Sequence, residues 1–203
     1  MSNRNYKLTL LLIFFAAFIW SAINPRDYFT WFLEVFPAVI GLIILVLINK
    51  KFELTGMLYF LLLIEAIILI IGGHYTYAEM PLFNWFKEFF DLSRNYYDRL
   101  GHLMQGLVPA IIAREILIRK NVLKPGAWLY FIIVCICLAF SAFYEFIEWW
   151  VAVVSGTAAE AFLGTQGDIW DTQWDMFMAL VGANLGLILL IKLHDKYLAK
   201  LEK

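Results

Sequence analysis

Residues 99–118 read RLGHLMQGLVPAIIAREILI, an apolar run broken by Arg99, His102, Gln105, Arg114 and Glu115. Whether this stretch crosses a bilayer decides the fold, because its neighbours are clearer. Other hydrophobic runs lie at about 8–23, 31–49, 54–73, 127–150 and 172–192, where a spanning helix needs roughly 20 residues. With the N-terminus inside and 99–118 counted as a span, twelve basic residues fall on the inner side: Arg4, Lys7, Lys50, Lys51, Arg114, Arg119, Lys120, Lys124, Lys192, Lys196, Lys200 and Lys203. Only Arg26, Lys87, Arg94 and Arg99 fall outside. This is the asymmetry of the positive-inside rule, and leaving out 99–118 would invert everything after it. The reading is an all-α, polytopic membrane helical bundle of about six transmembrane helices, one integral domain over 1–203. Both termini are placed in the cytoplasm.

Composition agrees. Of 203 residues, 63% are hydrophobic and 16% charged, whereas soluble domains run about 45–50% apolar and about 25% charged. A net charge of −1 and two cysteines disfavour a nucleic-acid binder and a disulfide-stapled secreted fold. The first run resembles a signal peptide, but Trp20 and Ile19 stand where cleavage after Ala22 or Ser21 needs a small residue, so it reads as a retained anchor. Between the third and fourth spans, residues 81–95 read as an interfacial helix. Leu82, Phe86, Phe89 and Phe90 share one face, and Trp85, Tyr96 and Tyr97 suit the lipid–water boundary. The alternative is a helix packed on the outer mouth of the bundle.

The acids are the informative feature. Under this topology Asp98 and His102 open the fourth span, Glu145 and Glu148 lie near the outer end of the fifth, and Asp168, Asp171 and Asp175 precede or begin the sixth. At 100° per residue each set falls within about 60° on its helix, so all three stripes can face one interior. Ala179, Gly182 and Gly186 continue the last stripe and permit close helix approach. Charge within a membrane helix is costly and is normally turned toward an interior or a wet cavity. Two carboxylates 4 Å apart repel by about 4 kcal/mol at an effective dielectric near 20. Six converging acids therefore call for a bound cation, for arginines (Arg94 and Arg99 are the local ones), or for protons. One histidine among carboxylates suits Mg, Mn, Zn or non-haem Fe, and the candidate metal ligands are His102, Asp171, Asp175, Glu145, Glu148 and Asp98. There is no His-Glu-x-x-His or Glu-x-x-His motif.

Plainer roles stand beside these. Asp98 and Asp168 also suit helix caps, and Glu145 or Glu148 also suits pairing with Arg99. Glu65 sits mid-membrane in the third span, either protonated and hydrogen-bonded or on a proton path. His74 ends that span and is a further candidate for the cluster. Cys135 and Cys137 point apart on one helix and read as packing residues. Arg114, Glu115, Arg119 and Lys120 mark the inner interface.

Three segments carry a resemblance: YDRLGH from Tyr97, YEFIEWW from Tyr144, and GTQGDIWDTQWD from Gly164. Together they resemble the YjdF family of bacterial inner-membrane proteins, over roughly residues 30–195. That resemblance implies a multi-pass inner-membrane domain and no particular reaction. A fainter similarity links Asp98 and His102, Glu145 or Glu148, and Asp175 with Gly182 and Gly186 to VanZ-like membrane proteins. Ala179 stands where that pattern has Asn, and the Arg preceding its Asp is absent.

The leading functional expectation is a metal-dependent, hydrolase-like site at the outer face, acting on a lipid-linked or headgroup substrate. Its partners would be membrane lipids and a small-molecule or lipid-linked substrate, with no nucleic acid. The alternatives are a binder or transporter of divalent cations or protons, and a non-catalytic structural protein whose acids only pair and cap.

Overall fold

The computed structural model describes residues 3–156 and 160–201, so Lys203 lies outside the described residues. These fold as α1 (Asn3–Ser21), α2 (Tyr28–Ile48), α3 (Gly56–Tyr75), a 3-10 turn (Tyr77–Glu79), α4 (Pro81–Phe89), α5 (Tyr97–Arg119), α6 (Ala127–Ser155), α7 (Glu160–Leu163), α8 (Asp171–Leu189) and α9 (Ile191–Leu201). Four helices (α2, α3, α5 and α6) are each long and apolar enough to cross a membrane, and α8 with α9, bent by 64°, makes a fifth if the pair is one span. The stretch 99–118 lies within α5, one of these four candidate spans. The expected six is approximate. The difference lies in α1, 19 residues long, whose opening Asn3, Arg4, Asn5 and Lys7 dilute an otherwise apolar run.

Local sequence explains the helix ends. Asp27 caps α2 by accepting from the Thr30 amide at 2.6 Å, and Thr55 caps α3 through the Leu58 amide at 3.4 Å. The helix expected over 81–95 is shorter, because the chain turns at Phe90 and Asp91 takes a φ of 51°. Leu82, Trp85, Phe89 and Phe90 of α4 and its C-cap are all exposed. Helix α8 begins at Asp171, not at Asp168. Asp168 instead holds the preceding turn, where its side chain accepts from the Trp170 amide at 2.9 Å.

Two three-helix groups make the bundle. Phe14, Val35, Ala38, Leu63, Ala66 and Ile70 interlock α1, α2 and α3. Ala110, Leu129, Ile133, Cys137, Ala183 and Leu187 interlock α5, α6 and α8. Leu54, Met57, Leu58 and Ile111 join the groups where α3 meets α5. The closest pairing is α5 on α8. There Gly106 faces the Ala179 backbone and Gly182 the Leu103 backbone, and neither position has room for a Cβ. The expected small-residue stripe is therefore a true contact seam. Around the outside, exposed apolar side chains such as Leu12, Ile43, Leu47, Phe131, Phe143 and Ile188 form the surface that lipid covers, since in a bilayer only the backbone must be satisfied internally.

Candidate functional site: an acidic and histidine cluster

The start of α5, the C-terminal part of α6 and the start of α8 converge. Asp98, His102 and Asp175 are all buried, and each offers a ligand atom within 4.8 Å of the others. His102 Nε2 faces Asp98 Oδ1 at 3.4 Å and Asp175 Oδ1 at 3.6 Å. Its other nitrogen, Nδ1, lies 3.0 Å from Gln105 Oε1. An amide oxygen accepts, so Nδ1 is the donor, and in a neutral ring Nε2 then presents a lone pair to two carboxylates. That arrangement is repulsive unless a proton or a cation lies between them. Glu145 Oε1 is 3.9 Å from Nδ1 and, like Ser141 Oγ, is buried without a hydrogen-bond partner.

The acids of α8 and its preceding turn are held by arginine, and Asp98 Oδ2 also lies 3.6 Å from Arg94 and 3.4 Å from Arg99. Arg94 Nη1 donates to Asp171 Oδ1 at 2.5 Å, and Arg99 Nη2 donates to the same oxygen at 2.5 Å. Arg99 also bonds Asp175 Oδ1 through Nη1. Asp168 Oδ2 lies 3.4 Å from both guanidinium groups. Arg94 further donates to the Gly164 carbonyl at 3.1 Å. The two arginines therefore supply more of the compensation than the sequence alone suggests. Of the candidate ligands, Asp171 sits among arginines rather than beside His102, and Asp98, not Asp171, completes the compact trio. Asp98 is not the cap of α5, since Tyr96 holds that position. Here Asn95 Oδ1 accepts from the Tyr97 amide at 3.0 Å instead.

Glu148 is only partly buried and lines the cavity described below together with Asp98 and His102. His74 stands apart. It stacks 4.4 Å from Trp20, and its Nδ1 meets the Ser21 carbonyl at 3.0 Å. Cys135 is exposed and Cys137 buried, both free.

Sequence reasoning missed Glu34 and Tyr77. Glu34, in α2, is 3% exposed and acts electrostatically on Asp98, His102 and Glu148. It was visible as the one acid in the apolar run of α2. Tyr77, in the 3-10 turn, lies against Gly72 of α3, where a Cβ would strike its ring. Its buried hydroxyl makes no well-formed hydrogen bond but lies close enough to the Glu34 carboxyl to act on it. Burial first, and then Glu34, hold the Tyr77 phenol well above its usual range. Seven carboxyl groups (Glu34, Asp98, Glu145, Glu148, Asp168, Asp171 and Asp175) thus gather around two guanidinium groups and one imidazole.

A cavity of about 770 Å³ opens from this cluster. Glu34, Tyr77, Asp98, His102, Gln105, Tyr144 and Glu148 line its polar end. It continues between the two helix groups past Pro37, Gly41, Glu65 and Pro109 to Asn49 and Lys7. Each proline lacks the amide that would close a helical bond to the preceding turn.

A second buried network closes the opposite end. Glu115 and His194 are fully buried and meet at 3.0 Å. Arg114 contacts His194 Nδ1 at 2.8 Å and Asp195 at 2.6 Å. Arg119 donates to Glu115 at 2.7 Å, and the Thr55 amide does so at 3.0 Å. Arg114 and Glu115 are therefore core residues that tie α5 to α9 and to the start of α3.

Comparison with known proteins bears on the whole chain. The family described as "Predicted membrane protein (DUF2238)" matches residues 6–196. Inner membrane protein YjdF of Escherichia coli (strain K12) is 47% identical over 193 residues, covering 95% of this chain and 90% of that protein. No solved structure matches. A helical membrane bundle whose match runs from α1 into α9, through every element of the acidic cluster, belongs to this YjdF family of membrane proteins.

Proposed function

We propose that the protein is a membrane enzyme whose site binds a divalent cation through Asp98, His102 and Asp175 and hydrolyses a lipid-linked or headgroup substrate. One observation carries the reading: His102 Nε2 is turned toward two carboxylates, 3.4 and 3.6 Å away, while Gln105 holds Nδ1. Ligands on one ion, each about 2.0–2.2 Å from it, lie at most about 4.4 Å apart, and both separations fit. Gln105 then plays the outer-shell role that fixes which ring nitrogen binds metal. A cation here would lower the pKa of a bound water and supply the nucleophile. Glu145, with an unpartnered oxygen beside the histidine, is positioned to take that water's proton. The basic-residue asymmetry supports placing the site at the outer leaflet, with both termini in the cytoplasm.

Metal analysis tests this. Protein purified without chelator and supplied with Mn or Zn should carry a stoichiometric ion, and His102→Gln or Asp175→Asn should lose it while retaining the helical bundle. A wild-type protein that takes up no ion overturns the reading.

The path past Glu65 favours a second reading, since Glu65 lines the same cavity as His102. In that case the acids conduct protons or divalent cations. Ion flux into liposomes, abolished by Glu65→Gln, would mark a conduit. A hydrolase tolerates that change.

A further inference from the structure

The cavity itself has a shape that the acidic cluster does not account for. Its lining on α2 runs from Glu34 to Asn49, and at 1.5 Å per residue that is about 22 Å of helix. A bilayer's hydrocarbon core measures about 30 Å. Between its ends the lining is almost wholly apolar, with Leu42, Leu45, Leu62, Leu69 and Ile112 among the walls. Helix α2 packs on α3, and α6 packs on α5 and α8, while both α2 and α6 line the cavity. At the polar end α7 packs against α2, α6 and the 3-10 turn and buries Phe162. The cavity runs along α2 with α3 and α5 as its other long walls, and α6 lines only its polar end, through Phe140, Tyr144 and Glu148.

The polar end holds acceptors, phenols and one imidazole. Glu34, Asp98 and Glu148 line it with His102, Gln105, Tyr77 and Tyr144, and no lysine or arginine is among the lining residues there; the His102 ring is already engaged by Gln105 and Asp98. Tyr77 is 6% exposed and belongs to this lining, with its hydroxyl buried. Three glycines make room for this wall. Gly72 and Gly101 bracket the Tyr77 ring, and Gly73 lies against Glu34 and Val35.

We infer that the cavity binds a single-chain amphiphile, with its hydrocarbon chain along α2. Its head donates hydrogen bonds to Glu34 and lies beside Tyr77, and it carries no net negative charge. This inference rests on the reading of the site as one that handles a lipid substrate, and it names that substrate's class. A bare anionic head is excluded by three carboxyl groups in the lining, which an amine or a polyol satisfies.

Gly41 supplies a clean test. It lines the cavity, and a Cβ built on it meets nothing within 4 Å. Gly41→Leu therefore fills the chain's path with a better helix former and without a backbone clash. Binding of hexadecylamine, hexadecyl glucoside, hexadecyl phosphate and palmitate to the protein in nanodiscs, with EDTA present, would be measured by native mass spectrometry. The amine and the glucoside should bind, with the two anions about ten-fold weaker or more. Gly41→Leu should weaken amine and glucoside alike by about ten-fold, and Glu34→Gln should weaken the amine more than the glucoside. Equal binding of the anions, or binding indifferent to Gly41→Leu, overturns the inference. Metal content, measured separately on the same samples without EDTA, reports on the proposed cation site: chain binding by a protein that holds no metal refutes that site and leaves this inference standing.

Discussion

Gly106 of α5 lies directly on the Ala179 carbonyl of α8, with no room between them for a methyl group. The α5–α8 pair carries His102 on one helix and Asp175 on the other, so this contact sets their separation. Backbone-to-backbone seams of small residues supply much of the packing energy between membrane helices, because lipid tails remove the hydrophobic drive.

Replacing either glycine of this seam should therefore act on fold and site together. Gly106→Val or Gly182→Val forces the helices apart, and overpacking of this kind costs about 1–3 kcal/mol or more. The expected result is a clear loss of thermal stability, with Gly41→Leu unaffected as the control. A Gly182→Val protein that melts like wild type would show that the helices are not in contact there.

The arginine pair gives a prediction about charge. Asp171 Oδ1 receives a bond from both Arg94 and Arg99, each at 2.5 Å, and all three side chains are buried. Removing one partner of a buried pair leaves an uncompensated charge and costs about 3–5 kcal/mol. Arg99→Ala should be the most damaging, since Arg99 also holds Asp175. Arg99→Ala combined with Asp171→Asn should recover part of the loss. Unfolding of the two single variants and the double variant checks this, and strict additivity would refute the pairing.

Much of this was readable from the chain. The alternation of apolar runs and basic loops gave the bundle, and the 60° fans brought Asp98, His102, Glu145 and Asp175 into one interior. What escaped depends on relations between distant segments. Nothing in residues 31–49 says that Glu34 turns toward the α5 site rather than toward a partner of its own. Asp171 was grouped with Asp175 because they share a helix face, yet Arg94, 77 residues away in sequence, claims it. The start of the sixth span, expected near 172, falls at Asp171, and Asp168 does act as a cap, but for the turn that ends at Trp170. His194 lies in a charged, amphipathic tail that reads as surface, and only the 64° bend after α8 folds it under Arg114.

That tail supports a further prediction. His194 and Glu115 are both fully buried, and together with Arg114 and Arg119 they leave few polar atoms unmatched. Glu115→Gln keeps the volume but removes the charge that the Thr55 amide, Arg119 and His194 share, at a cost of about 3–5 kcal/mol. Because the pair ties α9 to α5, the first visible effect should be detachment of α9. Hydrogen exchange over residues 191–201 should accelerate in the variant while exchange in α2 stays slow. Uniform acceleration across the chain would mean that the network stabilises the whole bundle rather than docking its last helix.

The cap of α2 answers to pH. Asp27 accepts the Thr30 amide at 2.6 Å, and this bond is the main reason its carboxyl is held below the ordinary aspartate value of 3.8. A carboxylate whose folded pKa is depressed binds protons more weakly in the folded state, so its contribution is full above pH 3.8. The contribution is lost as the pH falls through the lower folded value. The side chain is largely exposed, so solvent screens the charge and the hydrogen bond itself carries the effect. Asp27→Ala should cost about 1 kcal/mol at neutral pH, and Asp27→Asn, which still accepts from the amide, only part of that. The gap between Asp27→Ala and wild type should narrow as the pH is lowered below 3.8. Thermal melts of the three proteins across that range decide the matter, since a gap that stays constant with pH would assign the stabilisation to something other than the charged cap.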